Sequence, residues 1–155
     1  NQMADALCRH FAWATVVVMA AAVADFRPKE QVAQKLKKQG RMSLTLDLEA
    51  APDILAMLSA QRTTQLLVGF AAETEDLISH ATAKLVGKGL DAIVANDVTK
   101  EGAGFGSDDN TAIILSRGGG RKEFELMPKR RLADEILTEL LNVRAIARSS
   151  ATRVE

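Results

Sequence analysis

Three groups of residues in this chain have types and spacings that could do chemistry. Asp25 ends a run of mostly small apolar residues, 19–24, and Lys35, Lys37 and Lys38 follow it. Lys84 and Lys88 stand four apart, the spacing that stacks two side chains on one helical face. A lysine is a compact positive charge suited to stabilising phosphate in an in-line transfer. An acid can accept hydroxyl hydrogen bonds, and alanines let a flat group approach the backbone. Together these residues predict a nucleotide site. The plainer alternative for Lys37 and Lys38 is a solvated basic face. Spacing alone also favours a wet helix face for Lys84 and Lys88, whose like charges cost a few tenths of a kcal/mol that a polyphosphate would offset.

Other candidates are weaker. Phe70 follows an apolar run and precedes two alanines, so it packs against a base or closes the core. Residues 102–106 contain Gly-x-Gly-x-Gly, but no strand runs into it and no helix opens from it, as a dinucleotide fingerprint requires. This disfavours a nicotinamide-dependent oxidoreductase. His10 and His80 have no partner pattern, and no Ser-His-Asp or Cys-His set can be assembled. Asp108 and Asp109 could hold a cation, although a turn is the simpler reading.

The elements that must position these residues follow from periodicity. Residues 1–11 place Met3, Leu7 and Phe11 at helical spacing. Strands are expected over 15–19, 65–70 and 90–95, short apolar runs with turn signals behind them, as in buried parallel sheets. Pro28 suits a first helical position and predicts a short helix over 29–38 ending at Gly40. Residues 43–48 (Ser-Leu-Thr-Leu-Asp-Leu) alternate strictly and predict a strand that could pair with a second copy of the chain. Helices are expected from Pro52 to about Ala60, over 75–88 with Gly89 as cap, and over 131–147 before a frayed tail. Residues 112–116 and 122–127 form a hairpin across Gly118-Gly119-Gly120. The expectation is one α/β domain over 1–155. It is a three-layer, Rossmann-like, mostly parallel sheet with helices on both faces, a C-terminal β-hairpin and a dimerising strand. Ligands of such sheets bind outside the carboxyl ends of the strands, so turns 19–25, 69–73 and 96–97 should converge on one crevice.

Composition sets the remaining bounds. Lys plus Arg and Asp plus Glu number 20 each, so net charge argues for neither nucleic acid nor membrane. Cys8 is the only cysteine, which excludes an internal disulfide and fits a reducing, cytoplasmic setting. The longest apolar stretch, 11–24, is shorter than the roughly 20 residues that span a bilayer.

Five ordered motifs carry a resemblance. They are Ala20-Ala21-Ala22-Val23-Ala24-Asp25-Phe26-Arg27-Pro28, Lys35-Leu36-Lys37-Lys38, Pro52-Asp53-Ile54-Leu55, Val68-Gly69-Phe70-Ala71-Ala72-Glu73-Thr74, and Ala95-Asn96-Asp97-Val98 with Gly104-Phe105 and Ser107-Asp108. In that order and spacing the chain resembles phosphopantothenoylcysteine synthetase, the ligase of coenzyme A biosynthesis that in bacteria is usually fused to a decarboxylase. The resemblance implies that CTP and 4′-phosphopantothenate form an acyl-cytidylate, which the amine of L-cysteine then attacks. It assigns Lys35 to cytidylate formation, Met19, Ala20, Ala21 and Phe70 to the cytosine pocket, and Asp25 to the nucleotide. Pro52, Asp53, Ile54 and Leu55 would complete the nucleotide loop. Lys84 and Lys88 would hold the triphosphate, and Ala21 and Ala22 would border the reacting acyl group. It further implies Mg²⁺, a mobile flap over 37–42, a homodimer through 43–48, and a flavin-dependent decarboxylase partner with no flavin here. The family's opening strand, glycine-rich phosphate turn and Asn/Arg segment do not precede Asn1. This chain is therefore expected to be N-terminally truncated, to bind CTP less well and not to complete the ligation by itself. The competing reading is a non-catalytic nucleotide-binding or dimerisation module.

Overall fold

The computed structural model describes residues 1–38, 40, 42–73, 76–97, 99–100, 102–103 and 106–151, the side chains of 73, 97 and 147–151 excepted. In chain order the elements are α1 (Gln2–Phe11), β1 (Val16–Met19), β2 (Phe26–Pro28), β3 (Leu48–Ala50), α2 (Ile54–Gln61) and β4 (Leu66–Glu73). They continue with α3 (Leu77–Gly87), β5 (Ala92–Asp97), β6 (Asp109–Ser116), β7 (Arg121–Pro128) and α4 (Lys129–Ala151). The main sheet has the order β1-β4-β5-β6-β7. Its first three strands are parallel, and β6 and β7 add an antiparallel hairpin.

The strands are apolar on both faces because both faces are covered. On one face Val17, Leu67 and Ile93 pack with Phe11 of α1, Leu55 and Leu58 of α2, and Ala81 and Leu85 of α3. On the other, Val68, Val94, Ile114 and Phe124 pack with Leu132, Ile136 and Leu140 of α4. Leu67, Val68 and Val94 are fully buried, so β4 and β5 form the centre of the molecule. The start of β4 is tied to β5 by Asp91, whose carboxylate accepts from the Leu67 amide at 2.8 Å and from Arg62 at 2.6 Å. Gly89 closes α3 in the left-handed region (φ +64°), with the Leu90 amide reaching back to the Leu85 carbonyl at 2.9 Å.

Three expectations are corrected. Residues 29–38 are not helical, and Pro28 ends β2, which pairs antiparallel with β3. The segment has only Val32 and Leu36 as large apolar residues, 57% and 51% exposed, so no packed face repays helix nucleation. Of residues 43–48 only Leu48 is in a strand. Leu44, Leu46 and Leu48 alternate as a strand would, yet all three stay exposed because no sheet face lies against them. The last helix begins earlier and its backbone runs on to Ala151, into the stretch expected to fray. Thr74, Val98, Gly104 and Phe105, quoted above within motifs, lie outside the described residues. Among the described residues no helix is long and apolar enough to cross a membrane.

Candidate functional site

A cavity of about 280 Å³ opens on the α1–α3 side of the sheet. The end of β1 contributes Met19, and the turn after it contributes Ala21, Ala22, Val23, Ala24 and Asp25. Ala51, Pro52, Asp53, Ile54 and Leu55 form the opposite wall, at the start of α2. These two walls are joined, since the Ala51 amide donates to the Asp25 carbonyl at 2.8 Å as a continuation of the β2–β3 ribbon. That ribbon is held further by Arg27 and Glu49, directly opposite each other and 2.6 Å apart.

The floor is made by Gly69 of β4 with Leu90 and Ile93. Phe70 borders the cavity, but it is in phase with Leu66 and Val68 and packs in the α4-side core, the second of the two readings the sequence left open. Gly69 must be small, because a Cβ there would stand 2.8 Å from Leu90 Cδ1 and 3.4 Å from Leu55 Cδ1. Lys84 and Lys88 close the cavity from the end of α3. Lysines in that last turn also suit the negative end of the helix dipole.

Asp53 links the walls chemically. It caps α2, one oxygen accepting from the Ala56 amide at 3.1 Å, and its other oxygen pairs with Lys88 Nζ at 3.1 Å. Partial burial pushes the Asp53 carboxyl up, but the Ala56 amide, the Lys88 ammonium and the Leu55 amide together hold it below the usual carboxylate value. Two cations, one helix N-terminus and an apolar floor suit a ligand that is anionic at one end and flat at the other.

Of the residues singled out from sequence, the cavity brings together Met19, Ala21, Ala22, Asp25, Pro52, Asp53, Ile54, Leu55, Phe70, Lys84 and Lys88. It does not include Ala20 or Lys35, both exposed, the latter on the irregular segment after β2. Of the three expected turns, only 19–25 opens on the cavity as the end of a strand; 69–73 is itself strand, and β4 contributes Gly69 and Phe70 from its middle. β5 contributes Ile93 from its interior, Asn96 is not among the described residues that line the cavity, and the side chain of Asp97 lies outside the described residues. Register explains this for Asn96, which falls in phase with Ala92 and Val94 and so faces α4. Its Oδ1 is buried there with no hydrogen-bond partner among the described residues. Leu90, Ile93 and the Asp53–Lys88 pair were not foreseen as parts of the site. An N-cap signal, Asp53 ahead of Ile54-Leu55, was present, but the partner 35 residues away had no local signal.

Residues 1–143 match the DNA/pantothenate metabolism flavoprotein C-terminal domain. The chain is 44% identical over 138 residues to the coenzyme A biosynthesis bifunctional protein CoaBC of Bacillus subtilis, covering 89% of this chain and 34% of that protein. It is 37% identical over 143 residues to a cysteine/cysteine sulfinic acid decarboxylase of an unknown prokaryotic organism, covering 92% of this chain and 40% of that one. The chain thus spans about a third to two fifths of the length of these curated relatives. Among solved structures, the C-terminal domain of a CoaBC superposes with a TM-score of 0.73 at 32% identity, over 96% of this chain and 62% of that one. By its sequence and its fold, the chain belongs to the DNA/pantothenate metabolism flavoprotein C-terminal domain family.

Proposed function

We propose that this chain is the core of a CTP-dependent phosphopantothenate–cysteine ligase. Such an enzyme joins 4′-phosphopantothenate to L-cysteine through an acyl-cytidylate, in a cytoplasmic homodimer fused to a flavin-dependent decarboxylase. The observation that carries the reading is the cavity itself, which pairs Lys84 and Lys88 with a small apolar floor in a chain of this family. Met19 and Ala21 form a slot for a flat base over Gly69, with Phe70 at its border, and Ala20 extends the same turn outside it. Pro52, Ile54 and Leu55 close the slot from α2. The two lysines bind the triphosphate, and Asp25 binds the nucleotide beside them. Ala21 and Ala22 leave room for the acyl group.

A divalent cation suits the donor set. Asp25 offers a hard carboxylate, and Mg²⁺ is usually held by one or two carboxylates plus phosphate oxygens. When bound, Mg²⁺ would neutralise phosphate charge. Asp53 is less suited to the ion, since its oxygens already serve Ala56 and Lys88. Lys35 stands outside the cavity, so its part in cytidylate formation requires the segment after β2 to close over the ligand.

Titration calorimetry of the chain with CTP and with ATP, each with Mg²⁺, tests the reading. Saturable binding of CTP, much weaker for ATP, is expected. Equal binding of both would overturn the base slot. Lys35→Gln in the fused protein should cut pyrophosphate release from CTP by about 100-fold or more, the scale of losing a transition-state cation. CTP affinity should hold. A dimer that persists without any pyrophosphate release in the unsubstituted protein would instead favour the assembly module.

A further inference from the structure

We propose that Asp53 is a positioning residue that holds the Lys88 ammonium over the cavity for an anionic ligand. The proposal rests on the nucleotide reading above and extends it to how one lining residue acts through another. Asp53 has a short side chain whose orientation is set by the α2 backbone, through the Ala56 amide at 3.1 Å. Lys88 sits past the last residue of α3 on a long, flexible stem that by itself would trail into water. The 3.1 Å contact between them gathers that stem onto the cavity wall and leaves two of the three ammonium protons for another acceptor. Each carboxylate oxygen has a partner, one in the cap and the other in the lysine.

Both side chains are more than a third exposed, so the pair adds little to folding. Its effect belongs to binding, and the sign of that effect separates two roles. A carboxylate that merely competed for Lys88 would repel a polyphosphate, and its removal would tighten binding. A carboxylate that positions Lys88 gives the opposite result.

Inorganic tripolyphosphate is the ligand to use, because it reports the lysines without the base. Calorimetric titration would compare the unsubstituted chain with Asp53→Asn, Lys88→Gln and the double variant. Asparagine caps a helix as well as aspartate, so the unfolding midpoint of Asp53→Asn should fall by no more than the small contribution of a half-exposed ion pair. Its tripolyphosphate affinity should fall by about two- to fivefold, the size of a half-exposed ion pair. Lys88→Gln should bind more weakly still, and the double variant no more weakly than Lys88→Gln alone. Unchanged or tighter binding by Asp53→Asn overturns the proposal. So does an equal loss in the Lys88→Gln background, a lowered midpoint with binding intact, or no binding by the unsubstituted chain. Equal affinity for CTP and ATP with these tripolyphosphate results intact would sink the base reading and leave the role of Asp53 standing.

Discussion

Asp53 answers to α2 on one side and to α3 on the other, and the two bonds predict different responses to substitution and to pH. Its carboxyl is held below the usual value of 3.8, with burial opposing and the Ala56 amide and Lys88 prevailing. A depressed folded-state value means that the unfolded chain binds the proton more readily. The stability this group contributes is therefore complete above its ordinary titration range and is lost as pH falls through the depressed value. Asp53→Ala should cost about 0.5–2 kcal/mol near neutrality, the usual loss for an N-cap. The difference from the unsubstituted chain should shrink below pH 4, as urea titrations across pH 3–7 would show. A difference independent of pH would mean that the carboxylate charge plays no part. The residue scale was partly legible beforehand. Asp25, Lys84, Lys88 and Phe70 could be singled out by type and spacing, whereas the contact between Asp53 and Lys88 depends on where two separate helices lie.

At the scale of elements, the cavity exists because β4 carries a glycine where α2 and the start of β5 press closest. Gly69→Ala would put a methyl group 2.8 Å from Leu90 Cδ1, and Leu90, 1% exposed, has little room to retreat. The expected cost is about 1–3 kcal/mol from overpacking, measured by chemical denaturation, with loss of cavity binding alongside. Full stability would show that Leu90 and Leu55 repack freely. Most elements could be read from their periods, because β1, β4, β5 and α3 each bury a face that the pattern records. The segment 29–38 and the alternating 43–48 misled for the same reason. Local pattern states which face an element could bury, and in this molecule Val32, Leu36, Leu44 and Leu46 stay exposed, packed into neither face of the sheet.

For the molecule as a whole, stability should be graded outward from the centre of the sheet. Amides of Leu67, Val68, Ile93 and Val94 sit on central strands between two helical layers and should exchange with deuterium last, close to the rate of global unfolding. Described residues between Lys29 and Leu46 are exposed and largely without regular structure, so they should exchange within the first time points. Early protection in that segment, with no ligand present, would show that it packs on the domain in solution. By itself the amino-acid sequence determined the α/β class, the parallel β1, β4 and β5, the hairpin, and the small-residue and lysine positions of the site. Those features arise from short-range periods, caps and turns that a chain carries locally. Only the tertiary structure decided that β4 and β5 line the cavity from their interiors rather than their ends, that Lys35 stands outside it, and that Asp53 reaches Lys88. These depend on side-chain phase across the sheet and on the distance between helices remote in sequence, which no local pattern encodes.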